Sequence, residues 1–92
     1  MTVKKILAQR QKTHGSFESH AAISQGLKAV MQASPNWNEL TDVQREALEM
    51  MQHKVARLLN GDYTFLDHVV DIGGYNELMF NHMSGFGNGK KR

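Results

Sequence analysis

The chain has no cysteine, a single proline and a single tryptophan among its 92 residues. Without cysteine there is no disulfide to staple the fold, and no thiol for nucleophilic attack or metal ligation. Only Pro35 removes a backbone amide donor, so the other breaks must come from glycine and turn-forming polar residues. No 18 consecutive apolar residues occur, and the opening MTVKKILAQRQ lacks an apolar run of signal-peptide length. A soluble, cytoplasmic chain without a membrane partner is the expectation. Common catalytic signatures are missing too: no serine nucleophile elbow, no phosphate-cradling glycine loop and no HExxH zinc motif.

Basic charge is scarce in the middle of the chain. Lys4, Lys5, Arg10, Lys12, Lys90, Lys91 and Arg92 lie near the ends, whereas residues 13–89 hold four basic residues against all nine acidic ones, a net −5. A reader of nucleic acid normally carries a basic stripe on its folded surface, so a nucleic-acid partner is not expected and the basic ends read as solvated termini.

What the chain has in quantity is helical periodicity. Val43, Ala47, Met50, Met51, Val55, Leu58 and Leu59 share one face of a helix that Thr41 and Gln44 open as a capping box and Asn60-Gly61 closes, with the glycine in the left-handed region. A second run starts at Thr64 and stacks Phe65, Val69, Ile72, Asn76 and Phe80. The short linker between them requires an antiparallel hairpin. Gly73 and Gly74 lie inside the second run at a cost of roughly 1 kcal/mol each, which a close approach of another helix or subunit would offset. Upstream, residues 2–12 form a short helix with Val3, Ile6 and Leu7 on one side, and residues 17–33 a helix with Ile23, Leu27, Val30 and Met31 inward, closed by Ser34-Pro35-Asn36. Trp37 covers the end of the core or stacks on a ligand base.

These elements make an all-α bundle of about four helices around an antiparallel hairpin. It is a single domain over residues 1–81, followed by a flexible, glycine-rich basic tail over 82–92. A chain this short buries only about 60–65% of its unfolded surface, so a homo-oligomer, dimer or higher, is expected.

The one polar constellation lies on the hairpin: Glu46, Glu49 and His53 on the first helix, Asp67, His68 and Asp71 on the second. Residues three or four apart share a helix face, and oxygen-rich sites of this kind suit magnesium or manganese holding a phosphate. On the wheel Glu49 points away from the apolar face, while Glu46, Met50, His53 and Arg57 form a flanking ridge and His68, Asp71 and Tyr75 a matching one. The metal candidates are therefore Glu46, His53, His68 and Asp71. Lys54 falls near the middle of the apolar face. It either snorkels out along its stem or pairs with Asp71 or Asp67, where Lys54 and Arg57 would meet phosphate directly. The turn Thr13-His14-Gly15-Ser16 before a helix start is either a capping turn or an anion site that includes His14. His14, His20 and His82 otherwise read as surface residues.

Over about Arg10 to Leu78, the run HGSF, the helix ending KVARLLNGD and the run DHVVDIGGY resemble a small phage and prophage protein family of unknown function. The hairpin is also similar, more distantly, to the MazG-like all-α nucleoside triphosphate pyrophosphohydrolases. Those enzymes place Glu-x-x-Glu and Glu-x-x-Asp on successive helices to bind magnesium, and cleave NTPs to NMP and pyrophosphate. That resemblance implies a nucleotide partner and a magnesium or manganese cofactor. His68-x-x-Asp71 stands where the enzymes have Glu-x-x-Asp. Their first pair falls on Glu46-x-x-Glu49 by residue type or on Met50-x-x-His53 by distance to the Asn60-Gly61 turn, so the acidic quartet is incomplete. Three functions follow as expectations: a nucleotide or phosphate binder with Lys54, Arg57, Tyr75 and His14 as ligand contacts and weak or no hydrolysis; an interaction protein that inhibits a host or defence factor; or a metal-dependent pyrophosphohydrolase completed by a second subunit.

Overall fold

A computed structural model of the chain describes residues 2–86, and these form four α-helices and one 3-10 turn, with no strand among the described residues. Helix α1 spans Val3–His14, α2 Phe17–Gln32, α3 Asp42–Asn60 and α4 Leu66–Ser84, with the 3-10 turn at Trp37–Glu39 between α2 and α3. The α3–α4 hairpin is the centre of the packing, α2 lies along α3, and α1 rests on α2 and α3.

The helix starts follow local chemistry. Thr2 and Ser16 cap α1 and α2 by accepting from Lys5 N and Ser19 N, each at 3.2 Å. At α3 the capping box closes in both directions: Gln44 N donates to Thr41 Oγ1 at 3.2 Å and Thr41 N to Gln44 Oε1 at 2.9 Å. Helix α4 departs from the sequence reading. It begins at Leu66 rather than Thr64, because the Thr64 amide and hydroxyl both donate to Asp62 Oδ1 and hold Thr64 in the preceding turn. It also runs through Ser84, so the tail expected from residue 82 begins no earlier than Gly85; residues 87–92 of that tail lie outside the described residues.

Two glycines join the ends of the helical pairs. The Thr13–Ser16 turn docks onto the Asn60–Asp62 turn. Asn60 Nδ2 donates to His14 O at 2.7 Å and Ser16 O at 2.9 Å, and Asp62 N donates to Thr13 O at 2.8 Å. Gly15 has φ 76°, the left-handed region that glycine enters without steric cost. A Cβ at Gly61 would overlap Thr13 O and the His14 backbone. Gly61 itself has φ −115°, so its role is close approach and not the left-handed helix end expected from sequence.

The core is thin and partly polar. Among the described residues Ala47 and Ala56 are the wholly buried apolar side chains, alongside His20, Ser24, Gln52 and His68. Gln52 Nε2 donates to Ser24 Oγ at 3.1 Å, tying α3 to α2. Helix α1 has no buried residue, and Val3 and Leu7 stand in solvent. Helix α4 turns His68, Asp71, Ile72, Tyr75, Met79 and His82 inward, whereas Val69, Asn76 and Phe80 are exposed. The stripe expected from Phe65 to Phe80 is thus split across two faces, because the polar residues at 68, 71 and 75 occupy the side against α3.

Candidate functional site

Arg57 sits one turn from the end of α3 and stands among histidines from all four helices. Its charge depresses the proton affinity of His14 on α1, His20 on α2, His53 on α3 and His68 on α4. In each case burial is the larger cause and Arg57 the next, since both disfavour a second positive charge. The effect is greatest at His53, whose pKa falls to about 4, with further contributions from His20, Lys54 and Lys28. The rings meet in two pairs: His14 with His68, centroids 5.0 Å apart, and His20 with His53 at 4.7 Å. Phe65 stacks edge-on to His68 at 4.8 Å.

An open cleft of about 500 Å³ lies between α1, the end of α3 and the start of α4. Arg10 and Arg57, His14 and His68, and Asp67 and Asp71 supply its charged and titratable lining, and Ile6 and Phe65 give it an apolar wall. Burial lowers the Arg57 pKa, Arg10 lowers it further, and Asp71 opposes both. Asp71 is itself engaged, with Lys54 Nζ 3.0 Å from its Oδ2. Among the described residues neither Arg10 nor Arg57 forms an ion pair. His14 Nδ1 and His68 Nε2 are buried without a hydrogen-bond partner, an uncommon and costly condition for a ring nitrogen.

Of the residues singled out from sequence, His14, Arg57, His68 and Asp71 line this cleft, and Lys54 reaches it through its ion pair with Asp71. Glu46 is exposed on α3, and His53 faces His20 on α2 instead of sharing a site with His68. Tyr75 is half-buried and outside the lining. Among the described residues no three His, Cys, Asp or Glu side chains are grouped so as to hold a metal ion, so Glu46, His53, His68 and Asp71 are not brought together. Nor are His14, His20 and His82 free surface residues: His20 is buried, His14 lines the cleft, and His82 Nε2 lies 2.8 Å from Thr41 Oγ1.

Two contributors escaped the sequence reading. Arg10 looked like part of a solvated basic end, yet α1 carries it to Arg57. Asn60 looked like a helix stop, yet it fixes the turn that carries His14. The only available signal was the recurrence of polar-glycine pairs at both turns, His14-Gly15 and Asn60-Gly61.

A family model described as a domain of unknown function, DUF6378, matches residues 2–83. The chain belongs to the DUF6378 family. The match takes in α1, α2 and α3 whole and α4 through Met83, and with them the cleft and both docked turns, so the site lies wholly within the DUF6378 unit. No curated protein and no solved structure matches the chain. No described helix is long and apolar enough to cross a membrane.

Proposed function

We propose that this DUF6378 chain binds a phosphate-bearing ligand, a nucleotide foremost, in the cleft between α1 and the α3–α4 hairpin. The observation that carries the reading is the pair Arg10 and Arg57. Two guanidinium groups held near enough to oppose each other, with Asp71 only partly offsetting Arg57 and neither arginine in an ion pair among the described residues, favour an anion between them. Guanidinium is suited to phosphate because its donors match the phosphate oxygens in a fork. His14 and His68 lie beside them as further donors once protonated, and Phe65 and Ile6 offer an apolar surface for a base.

In this reading the site is a degenerate relative of the MazG-like arrangement in a phage-type protein, and cations replace the acidic metal ligands. The ligand is held directly by basic side chains. Magnesium or manganese enters as the ligand's counter-ion, and pyrophosphohydrolysis is weak or nil. A thermal-shift and turnover screen with NTPs and dNTPs, with and without magnesium or manganese, tests this, with Arg57→Gln as the site variant. Stabilisation by nucleotide without metal, lost in Arg57→Gln, is the expected result. Metal-dependent pyrophosphate release would make the chain an enzyme. No response to any ligand would refute the reading and favour the alternative, inhibition of a host or defence protein through the helical surface.

A further inference from the structure

Helix α1 is held by one end. It spans 12 residues with none buried, and residues 2–12 are all exposed. A helix of that length is marginal in water unless packing supports it. Its start adds to the difficulty: the first turn has no acidic residue and carries Lys4 and Lys5, cations at the positive end of the helix dipole. Among the described residues, the hydrogen bonds that tie α1 to the bundle are made by its last two carbonyls, Thr13 O and His14 O, which accept from Asp62 N and Asn60 Nδ2. Yet α1 supplies one wall of the ligand cleft, with Ile6, Gln9 and Arg10 across from Arg57, Phe65 and Asp67.

We propose that α1 is a latch ordered by the ligand: alone, it unwinds from its free end as far as Arg10, and a phosphate group held between Arg10 and Arg57 fixes it as a helix over the cleft. This rests on the cleft binding an anion, and adds how the site is closed. Arg10 on α1 and Arg57 on α3 face the same space, so closing α1 without an anion works against their repulsion. Asp71 offsets Arg57 only in part, because Lys54 Nζ already lies 3.0 Å from its Oδ2. A phosphate reverses the sign of the contact, since each guanidinium then meets negative oxygen. Closing also sets Ile6, 36% exposed, on the wall opposite Phe65, where a bound base would cover both. The turn at residues 13–16 stays docked on the Asn60–Asp62 turn throughout, so unwinding leaves His14 in place and the bundle intact. A segment that orders on a charged ligand is one of the recurring ways in which proteins switch.

Hydrogen exchange of the full chain reads the latch directly. In the free protein the α1 amides from Ile6 to Gln11 should exchange far faster than those in the middle of α3, because local unwinding exposes them without global unfolding. Saturating ATP without divalent metal, its binding measured by calorimetry on the same sample, should slow these amides by about tenfold or more, the affinity that a charge-assisted bond to Arg10 contributes. Arg10→Glu pairs with Arg57 and should slow them about threefold with no ligand, the shift that an exposed ion pair supports. Gln11→Glu, which adds a carboxylate at an exposed position outside the cleft lining, should not. Free α1 amides as slow as those of α3, or α1 exchange unchanged by bound ATP, overturn the latch while the cleft reading stands. No ATP binding overturns both. Exchange in Arg10→Glu no slower than in wild type overturns the latch as well; if that variant fails to fold, the ATP comparison decides alone.

Discussion

Replacing Gly61 by alanine adds one methyl group where the structure leaves no space for it. The new carbon would fall on Thr13 O and on the His14 backbone, so the Thr13–Ser16 turn would have to move away from the α3–α4 turn. Overpacking of this kind costs about 1–3 kcal/mol. Separating the turns also weakens the Asn60 bonds to His14 O and Ser16 O and the Asp62 bond to Thr13 O, each with a net value near 1 kcal/mol. A loss of about 3 kcal/mol follows. At about 4–8 °C per kcal/mol for a domain this size, the melting temperature should drop by about 12–24 °C in a circular-dichroism melt. Gly26→Ala is the matched control: Gly26 is an exposed residue within α2 with nothing near its missing Cβ, so the same change should stabilise by about 0.5–1 kcal/mol. A Gly61→Ala protein within about 1 kcal/mol of wild type would refute the docking of the two turns.

Acid should destabilise the fold between about pH 6.5 and 4. His14, His20, His53 and His68 all have lowered folded-state pKa values, His53 to about 4. The unfolded chain thus binds more protons in that window, and stability, full above it, falls as pH falls; a melting temperature unchanged from pH 7 to pH 4.5 would contradict this. Ligand binding should couple to the same protons. An anion that offsets Arg57 raises the His14 and His68 pKa values, so nucleotide affinity measured by calorimetry should increase from pH 7.5 to pH 6, and a flat profile would count against contact with the histidines. The Lys54–Asp71 pair should respond asymmetrically, because the Lys54 side chain is 12% exposed and that of Asp71 46%. Asp71→Asn strips a largely buried cation of its partner and should cost about 1–3 kcal/mol, whereas Lys54→Met should cost less than about 1 kcal/mol; equal costs in denaturant melts would argue against the pair.

Periodicity made the hairpin legible, because α3 has strong end signals: the Thr41–Gln44 box and Asn60-Gly61 both terminate it where expected. Helix α4 was harder. Apolar residues lie on both of its sides, and a wheel cannot say which side meets the chain's own core when the polar His68, Asp71 and Tyr75 take that place. His68, Asp71 and Arg57 line one cleft because they lie on the inner flanks of the two helices, where spacing alone constrains position. The places of Arg10 in the cleft and of His20 in the interior were not legible, since they depend on how α1 and α2 pack against α3, a long-range matter that a local pattern does not encode. The glycines show the same division. Gly15 and Gly61 act through each other's turns across about 46 residues of chain, and nothing local to either one reveals the contact.

The most direct test of the anion cleft is a histidine-ring NMR titration at pH 6.5 with ATP in the absence of divalent metal, repeated on Arg57→Gln. The account requires the His14 and His68 ring signals to move saturably toward the protonated form while His82, hydrogen-bonded to Thr41 far along the bundle, stays fixed, with the response lost in the variant. Signals that stay in place, or that move equally in Arg57→Gln, would contradict it.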